Sequence, residues 1–434
     1  MKKNSRGPGL SPGTVFMLLL TLAVIGGCTW FMIRITGREK AYQAAEILSA
    51  FTFAQEQPGL EDEQIPAYTL APAATATPVW QVTAAPTASP TPVPEKISIT
   101  VAAAGTVYAP KAIRQTVEEK GSANFTPVFA GIADVLAPAD LAIVTLETTT
   151  AGAERGYDHY NTPAQLLDAL RACGVDLVSL ATERALDKDY EGLAITMQEV
   201  ARRGLAYAGA SPEGEGGATV MRIGGVQVAV LAYSYGLSEE GEKATDGDAQ
   251  GMLATIELSR VRSDIAKARH DGANVVIVLP HWGTKNKQET PEVIRRMAGE
   301  LAQAGADVIL GTHPNVPQGI ERIKTTRADG LDYETVVCYS LGSLLTDART
   351  RENTAGMAAE IVITYDPVTR RIALGDTRVT PLYIARTKVD DAPAYRIIPA
   401  EDEKALSQLD EAEREAARQA AQIVYQAAAE VMQR

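Results

Sequence analysis

Apolar residues change their spacing along the chain, and these changes divide it into segments of different kinds. The first segment, residues 1–37, contains an uninterrupted apolar run at 14–33, TVFMLLLTLAVIGGCTWFMI, with no charged residue from Gly7 to Ile33. As a helix, these 20 residues would rise about 30 Å, the thickness of the hydrocarbon core of a bilayer. The run therefore predicts a transmembrane signal anchor.

The same run has a second interpretation, a lipoprotein signal peptide. Residues 25–28, Ile-Gly-Gly-Cys, resemble a lipobox, in which Cys28 is lipidated after cleavage. The residues after Cys28 stay apolar, which favours the uncleaved anchor. Three basic residues precede the run and three follow it, so their number does not set its orientation.

Residues 38–96 predict a juxtamembrane helix followed by a spacer. Residues 38–56 have a helical composition, whereas 66–94 carry seven prolines among Ala and Thr and cannot form a core. In the polyproline II conformation those 29 residues would reach roughly 90 Å. We therefore expect a single-pass protein of the cell membrane whose folded domain is extracytoplasmic.

From residue 97 to 386, short β-branched runs alternate with helical stretches, which predicts an α/β domain. Gly224 and Gly225 predict a hairpin turn, and hence a mixed sheet. Caps and periodicity predict helices over 163–174, Leu258–His270 and 291–304. The predicted strands are Ile97–Ala103, Leu141–Leu146, Leu177–Leu180, Ala218–Ile223, Val226–Tyr233, Val275–Leu279, Val308–Leu310, Val336–Ser340, Ala358–Tyr365 and Arg371–Val379.

Charge and composition exclude several classes of function. The chain has 54 acidic and 41 basic side chains, and the resulting charge of −13 argues against a broad nucleic-acid surface. Its three cysteines have no CxxC spacing, which excludes a zinc ribbon and a thioredoxin-like motif. Neither a P-loop nor a GxSxG nucleophile motif is present.

Chemistry in open α/β sheets collects in the loops at the carboxyl ends of strands. In this chain those loops read Gly105-Thr106, Thr145-Leu146-Glu147, Ala181-Thr182-Glu183-Arg184, His281-Trp282-Gly283, Gly311-Thr312-His313-Pro314-Asn315 and Ser340-Leu341-Gly342-Ser343. Their succession resembles the CapA family of capsule-synthesis proteins, which take part in poly-γ-glutamate assembly. The resemblance covers roughly 290 residues and is carried further by the segments 166–181, 185–210, 275–283 and 302–321.

The resemblance implies a fold and a process. The fold is a calcineurin-like metallophosphatase α/β/β/α sandwich with mixed sheets, here preceded by one transmembrane helix. The process is the synthesis, export or retention of an anionic cell-surface polymer. The implied partners are that polymer and the membrane proteins that make it, with no nucleic acid.

The family's metal-ligand pattern is only partly kept. In the family, strands end in Gly-Asp, Asn-Leu-Glu, Ala-Asn-Asn-His and Gly-x-His-Pro-His. In this chain Glu147, His281 and His313 stand where the family pattern predicts ligands. The remaining positions are replaced by Thr106, Thr145, Thr182, Glu183, Arg184 and Asn315. A two-metal centre needs a bridging carboxylate and several imidazoles, which threonine and arginine do not supply. The pattern therefore predicts an eroded centre.

Three interpretations of this centre stay open. In the first, the site is dead, no cofactor is bound, and the fold serves binding or scaffolding. In the second, one divalent metal (Mn, Zn or Mg) is bound by Glu147, His281, His313 and Asn315, with or without Glu183, as in a metal-dependent hydrolase. In the third, Arg184 and the loop amides hold an anionic ligand without metal.

Three further residues, Trp282, Cys173 and Cys338, each have two interpretations. Trp282, beside His281, stacks on a substrate or packs in the core. Cys173 and Cys338 are buried apolar residues or, in an exported domain, partners in a disulfide.

Residues 387–434 form the last predicted segment, a C-terminal extension with an amphipathic helix. Beyond residue 401 there is no Gly or Pro, and small apolar residues recur at spacings near three and four. The stripe consists of Ala416, Ala420, Ile423, Val424, Ala427 and Val431. Because its polar face is acidic, we expect this helix to pack on the body or on a neighbouring subunit rather than on a membrane.

Overall fold

The computed structural model describes residues 94–119, 122–212, 214, 217–244, 251–327, 330–389 and 392–432. The predicted anchor, with Cys28, and the spacer up to residue 93 lie outside these residues. Among the helices of the described part, none combines the length and the apolar character needed to cross a membrane.

The described residues form sixteen strands and eleven α-helices. The strands are β1 Ile97–Val107, β2 Glu118–Glu119, β3 Ser122–Ala123, β4 Leu141–Leu146, β5 Leu177–Ser179, β6 Ala206–Ala208, β7 Thr219–Ile223, β8 Val226–Ser234, β9 Val275–His281, β10 Val308–Leu310, β11 Ile320–Thr326, β12 Asp332–Cys338, β13 Ser343–Leu345, β14 Ala355–Asp366, β15 Arg371–Val389 and β16 Ala392–Pro399. The helices are α1 Lys111–Val117, α2 Thr126–Phe129, α3 Ala133–Leu136, α4 Gln165–Ala172, α5 Asp189–Arg202, α6 Glu239–Ala244, α7 Leu258–His270, α8 Glu292–Ala304, α9 Arg351–Thr354, α10 Glu403–Leu406 and α11 Glu411–Met432.

Two mixed sheets form the body, which confirms the prediction of an α/β fold with mixed sheets. The larger has the order β16-β15-β14-β1-β4-β5-β6, with β13 beside β1, and its strands β1, β4, β5 and β6 are parallel. The smaller has the order β11-β12-β10-β9-β8-β7, with β12, β10, β9 and β8 parallel. The predicted turn at Gly224 and Gly225 joins β7 to β8, and both glycines have positive φ, as a tight hairpin turn requires.

The two faces of the smaller sheet are buried in different cores. Val228 and Ile277 point to the core that this sheet shares with the larger sheet. Their neighbours Leu231 and Val278 point the other way and pack against α7 and α8. Because successive side chains of a strand point to opposite faces, a strand buried on both sides reads as a continuous apolar run. On the larger sheet, α4 and α5 form the crossovers that join β4 to β5 and β5 to β6.

The C-terminal segment belongs to the same body. The predicted boundary at residue 386 falls inside β15, which continues to Val389 and pairs with β16 from Leu382 to Val389. The predicted helix is confirmed as α11, which packs against β14 and β15. Ala420 and Val424 of the predicted stripe are buried. The other buried side chains of this helix are Ala417, Ala421 and Ala428, and Ala417 and Ala428 each lie one position after a residue of the predicted stripe.

Cys173 and Cys338 are two separate, buried thiols, so the structure does not contain the predicted alternative of a disulfide between them. Burial raises the pKa of Cys173 to about 11 and that of Cys338 to about 12. Both side chains therefore act as small apolar residues of the core.

Candidate functional site

The carboxyl ends of strands from both sheets meet at one place. Thr145 is the penultimate residue of β4 in the larger sheet, and Thr312 follows β10 in the smaller one. The Thr312 hydroxyl donates to the Thr145 hydroxyl at 3.3 Å. This contact fixes the two sheets against each other at the edge where the sequence places the candidate ligands.

Two of those candidates, His281 and His313, form a histidine pair. The Nε2 of His281 lies 3.2 Å from the Nδ1 of His313, and the rings meet edge to face. The Nδ1 of His281 is 3.1 Å from the Thr312 hydroxyl. Burial, together with the neighbouring His313, Lys285 and Arg184, lowers the pKa of His281 well below its ordinary value. Burial also lowers the pKa of His313, although Glu183 opposes the shift.

A lysine that was not among the predicted site residues lies at the centre of the cluster. Lys285 follows β9 in the loop after His281, and its Nζ is 2.5 Å from Glu183 and 4.0 Å from Glu147. Burial lowers the pKa of Lys285, but Glu183 and Glu147 outweigh that effect and raise it overall. The ammonium group is therefore a permanent positive charge between two carboxyl groups.

Glu147 and Glu183 have opposite protonation preferences. Glu147 is 1% exposed and its Oε2 has no hydrogen-bond partner among the described residues. Burial raises the pKa of Glu147 to about 8, and Lys285 offsets only part of that shift. For Glu183 burial alone would raise the pKa, but the hydrogen bond from Lys285 and the charges of Lys285, His313 and Arg184 together outweigh burial and lower it. At neutral pH the pocket thus holds one neutral carboxylic acid and one carboxylate.

Arg184, predicted to bind an anionic substrate, is held by acidic residues of this protein. Its Nε is 3.1 Å from Glu183, and its Nη1 lies 3.4 Å from Asp187 and 3.6 Å from Glu240. The guanidinium also stacks 4.0 Å from the ring centre of Tyr160. These acidic partners neutralise the guanidinium charge that would otherwise attract an anionic ligand.

Trp282 does not line the site, which corrects its prediction as a substrate-binding residue. Its side chain is fully buried, in the core between the smaller sheet and the helices α7 and α8. The indole N–H donates to the carbonyl of Tyr339 at 3.0 Å. Successive residues after a strand diverge to opposite faces, so His281 points to the site and Trp282 away from it.

Asn315, the last of the predicted ligands, has a role in the backbone of its loop. It adopts a φ of 59°, and its carbonyl accepts from Ser343 at 3.2 Å and from Asn353 at 3.1 Å. Within the described residues no hydrogen bond joins its side chain to either histidine, and its Oδ1 is buried without a partner. Thr106 and Thr182, which replace family ligands, also bury hydroxyl oxygens that have no partner in the described part of the chain.

The donor set does not fit a divalent metal. Among the described residues no group of three His, Cys, Asp or Glu side chains is arranged to hold a cation. His281 and His313 turn nitrogen atoms towards each other, and Glu183 binds Lys285 and Arg184. A cation in this pocket would compete with two fixed positive charges at short range. In this pocket Glu183, Lys285 and Arg184 form a cluster of salt bridges.

Sequence reasoning missed Lys285 because the search was for metal ligands, and an ammonium group is not one. Lys285 nevertheless meets the criterion that identified the other site residues, since it lies in a loop at the carboxyl end of a parallel strand. A charged side chain four residues after His281 was the available signal.

Comparison with known families identifies the chain's relatives. A family model described as the bacterial capsule synthesis protein PGA_cap matches residues 100–348. The PGA biosynthesis protein CapA of Bacillus subtilis (strain 168) is 27% identical over 201 residues, which cover 45% of this chain and 50% of the relative. The capsule biosynthesis protein CapA of Bacillus anthracis is 25% identical over 202 residues, 44% of each chain. This chain thus spans about half the length of the curated relatives it matches.

Solved structures with a similar arrangement include two enzymes. The NAD nucleotidase of Haemophilus influenzae has a TM-score of 0.41 at 11% identity, covering 75% of this chain and 62% of the enzyme. The calcineurin-like phosphoesterase YfkN of Bacillus subtilis has a TM-score of 0.40 at 13% identity, covering 78% and 100%.

Proposed function

Because the chain belongs to the bacterial capsule synthesis family PGA_cap, we propose that it acts in the synthesis, export or retention of an anionic cell-surface polymer of the capsule or poly-γ-glutamate type. Within that process its role is binding or scaffolding, and its metallophosphatase-type centre is eroded.

The observation that carries the second part of this proposal is the position of Lys285. Its Nζ lies between Glu183 and Glu147, at 2.5 Å and 4.0 Å, so a cation built into the chain neutralises the pocket. With Arg184 also bound to Glu183, the one carboxylate of the pocket already has two cationic partners. The pocket then stabilises the junction of the two sheets without any cofactor.

The competing function is a metal-dependent hydrolase with a single-metal site. The observation that favours it is the adjacency of His281 and His313, whose ring centres are 4.8 Å apart. In that case a metal would have to displace the Lys285 ammonium and separate the two imidazoles.

Metal analysis separates the two functions. We expect the full-length protein, purified from cells grown with added Mn²⁺ and Zn²⁺, to contain no stoichiometric divalent metal, with the same result for His281→Ala, His313→Ala and His270→Ala. His270 is the control because its side chain is 90% exposed on the surface. One tightly bound ion per chain, lost in His281→Ala and His313→Ala but kept in His270→Ala, would establish the hydrolase-type site and contradict the proposal.

The proposal places the protein at the cell surface. Residues 14–33 anchor it in the membrane as a single span, and the spacer carries the folded domain outside the cytoplasm. Its partners there are the polymer and the membrane proteins of polymer synthesis. The support for this arrangement is the sequence pattern of the first 96 residues.

A further inference from the structure

A second polar site lies at the opposite end of the smaller sheet from the candidate site. A cavity of about 460 Å³ opens beside Asn274 and Asp307, the residues that precede β9 and β10. Four of its lining residues are arginines, namely Arg269, Arg327, Arg370 and Arg371. In a chain with an excess of acidic residues, this concentration of guanidinium groups is a local reversal of charge.

The arginines are only partly neutralised. Asp307, which is 1% exposed, is the one acidic residue of the lining, and it pairs with both Arg269 and Arg327, the latter at 3.2 Å. Asp307 also accepts the backbone N–H of Val276 at 2.8 Å. Among the described residues no carboxylate pairs with Arg370 or Arg371, and both are exposed. Among the described residues that line the cavity, four guanidinium groups therefore face one carboxylate, an excess of positive charge.

Aromatic stacking fixes two of the guanidinium groups in place. Arg327 lies 4.1 Å and Arg371 5.2 Å from the ring centre of Tyr333. Arg371 also donates to the carbonyl of Asp332 at 2.6 Å. Because a planar guanidinium held this way has already lost rotational freedom, it loses less entropy when it binds an oxyanion.

We propose that this arginine cavity binds the oxyanions, carboxylate or phosphate, of an extended polyanion. Its volume is far larger than a single carboxylate needs, and a neighbouring cavity of about 580 Å³ shares Tyr333, Arg371 and Ile372 as a common wall. Several anionic groups on one chain fit a cavity of this volume better than one small ion, and the second cavity adds Lys324 beside Asp332 and Glu334. The identification of this polyanion with a cell-surface polymer rests on the proposed function.

The test is titration of the full-length protein with two probes, sodium poly-γ-glutamate for carboxylates and sodium polyphosphate for phosphates. We expect at least one probe to bind, and Arg371→Gln to weaken that binding about tenfold, because one charge-assisted contact of about 1.4 kcal/mol is lost. The matched control is Arg378→Gln, an exposed arginine in the same strand β15 that pairs with Glu360. We expect Arg378→Gln to bind like the unmodified protein, and thermal unfolding to be the same for both variants.

The outcomes answer two separate questions: whether the site exists, and whether it binds carboxylates or phosphates. Binding of poly-γ-glutamate alone assigns carboxylates, and binding of polyphosphate alone assigns phosphates. Binding of neither probe, or equal losses in Arg371→Gln and Arg378→Gln, overturns the site. Cells that make their polymer normally without this protein would defeat the proposed function while leaving the titration result intact.

Discussion

At the level of single residues, the unusual group is Glu147, a buried carboxyl with a lysine nearby that is too distant for a hydrogen bond. Lys285 lies 4.0 Å from Glu147 and 2.5 Å from Glu183, so its charge stabilises Glu183 far more than Glu147. A buried carboxyl without a close partner keeps its proton, because ionisation in a poorly solvated site is costly. Glu147 therefore enters the folded protein as a neutral acid.

This protonation makes stability depend on pH in a direction opposite to that of most acidic residues. The pKa of Glu147 is about 8 when folded and near its ordinary value when unfolded, so between these values the folded state holds a proton that the unfolded state has lost. Its contribution is fully present below the ordinary pKa of glutamic acid and is lost as pH rises to about 8. The loss amounts to a few kcal/mol, on the order of 1.4 kcal/mol per unit of pKa.

Glu147→Gln removes this dependence, because the amide is neutral at every pH. We expect the free energy of unfolding of the unmodified protein, minus that of the variant, to fall between pH 5 and 8 and to level off above it. Urea unfolding at four pH values measures the difference, and the histidine pair, which is common to both proteins, cancels. A difference that rises with pH would show that Glu147 is ionised and paired, as a metal-ligand role requires.

At the level of elements, the sequence patterns located most strands but not all. Buried parallel strands such as β4 and β10 have the predicted bounds because each is a short run of apolar residues between polar ends. β11, which was not predicted, is an edge strand whose order comes from its backbone pairing with β12 and not from an apolar pattern. β15 continues through Pro381, where the pattern breaks, because β14 and β16 flank it on both sides.

The candidate site was also only partly predictable from the sequence, because some of its residues are recognised by type and others only by their contacts in the folded protein. His281, His313 and Glu147 were found because their side chains match a ligand pattern, and the structure brings the two histidines into contact. The role of Lys285 follows only from its distance to Glu183, which lies in another loop 102 positions earlier in the chain. No local pattern contains that information.

Helix α11 gives a prediction at this level. Val424 is fully buried where the helix packs on the sheet, whereas Gln422, two residues away, is exposed. We expect Val424→Asp to lower the free energy of unfolding by about 3 kcal/mol or more, since it buries an unpaired charge, and Gln422→Asp to change it by less than about 0.5 kcal/mol. Denaturant unfolding measures both. Equal, small effects would mean that α11 does not belong to the core of the body.

At the level of the whole molecule, the two polar sites lie at opposite ends of the same parallel strands. The histidine–lysine cluster follows the carboxyl end of β9, and the arginine cavity precedes its amino end. The first has its charges paired internally, while the second keeps an excess of positive charge. A protein that acts on a polyanion by holding it would use the second site, and the first would serve the rigidity of the fold.

Such a role requires the folded domain to be retained at the cell surface, which the apolar run at residues 14–33 predicts. Its 20 residues match the hydrocarbon thickness of about 30 Å, so we expect the full-length protein in the membrane fraction, resistant to high salt and released by detergent. Removing residues 14–33 should leave the protein out of that fraction. Cys28→Ala distinguishes the two forms of anchoring: an uncleaved span keeps its mass and its membrane association, whereas a lipoprotein loses processing and lipid. An unmodified protein cleaved before Cys28, together with an uncleaved and unlipidated chain in Cys28→Ala, would replace the transmembrane anchor with a lipid anchor.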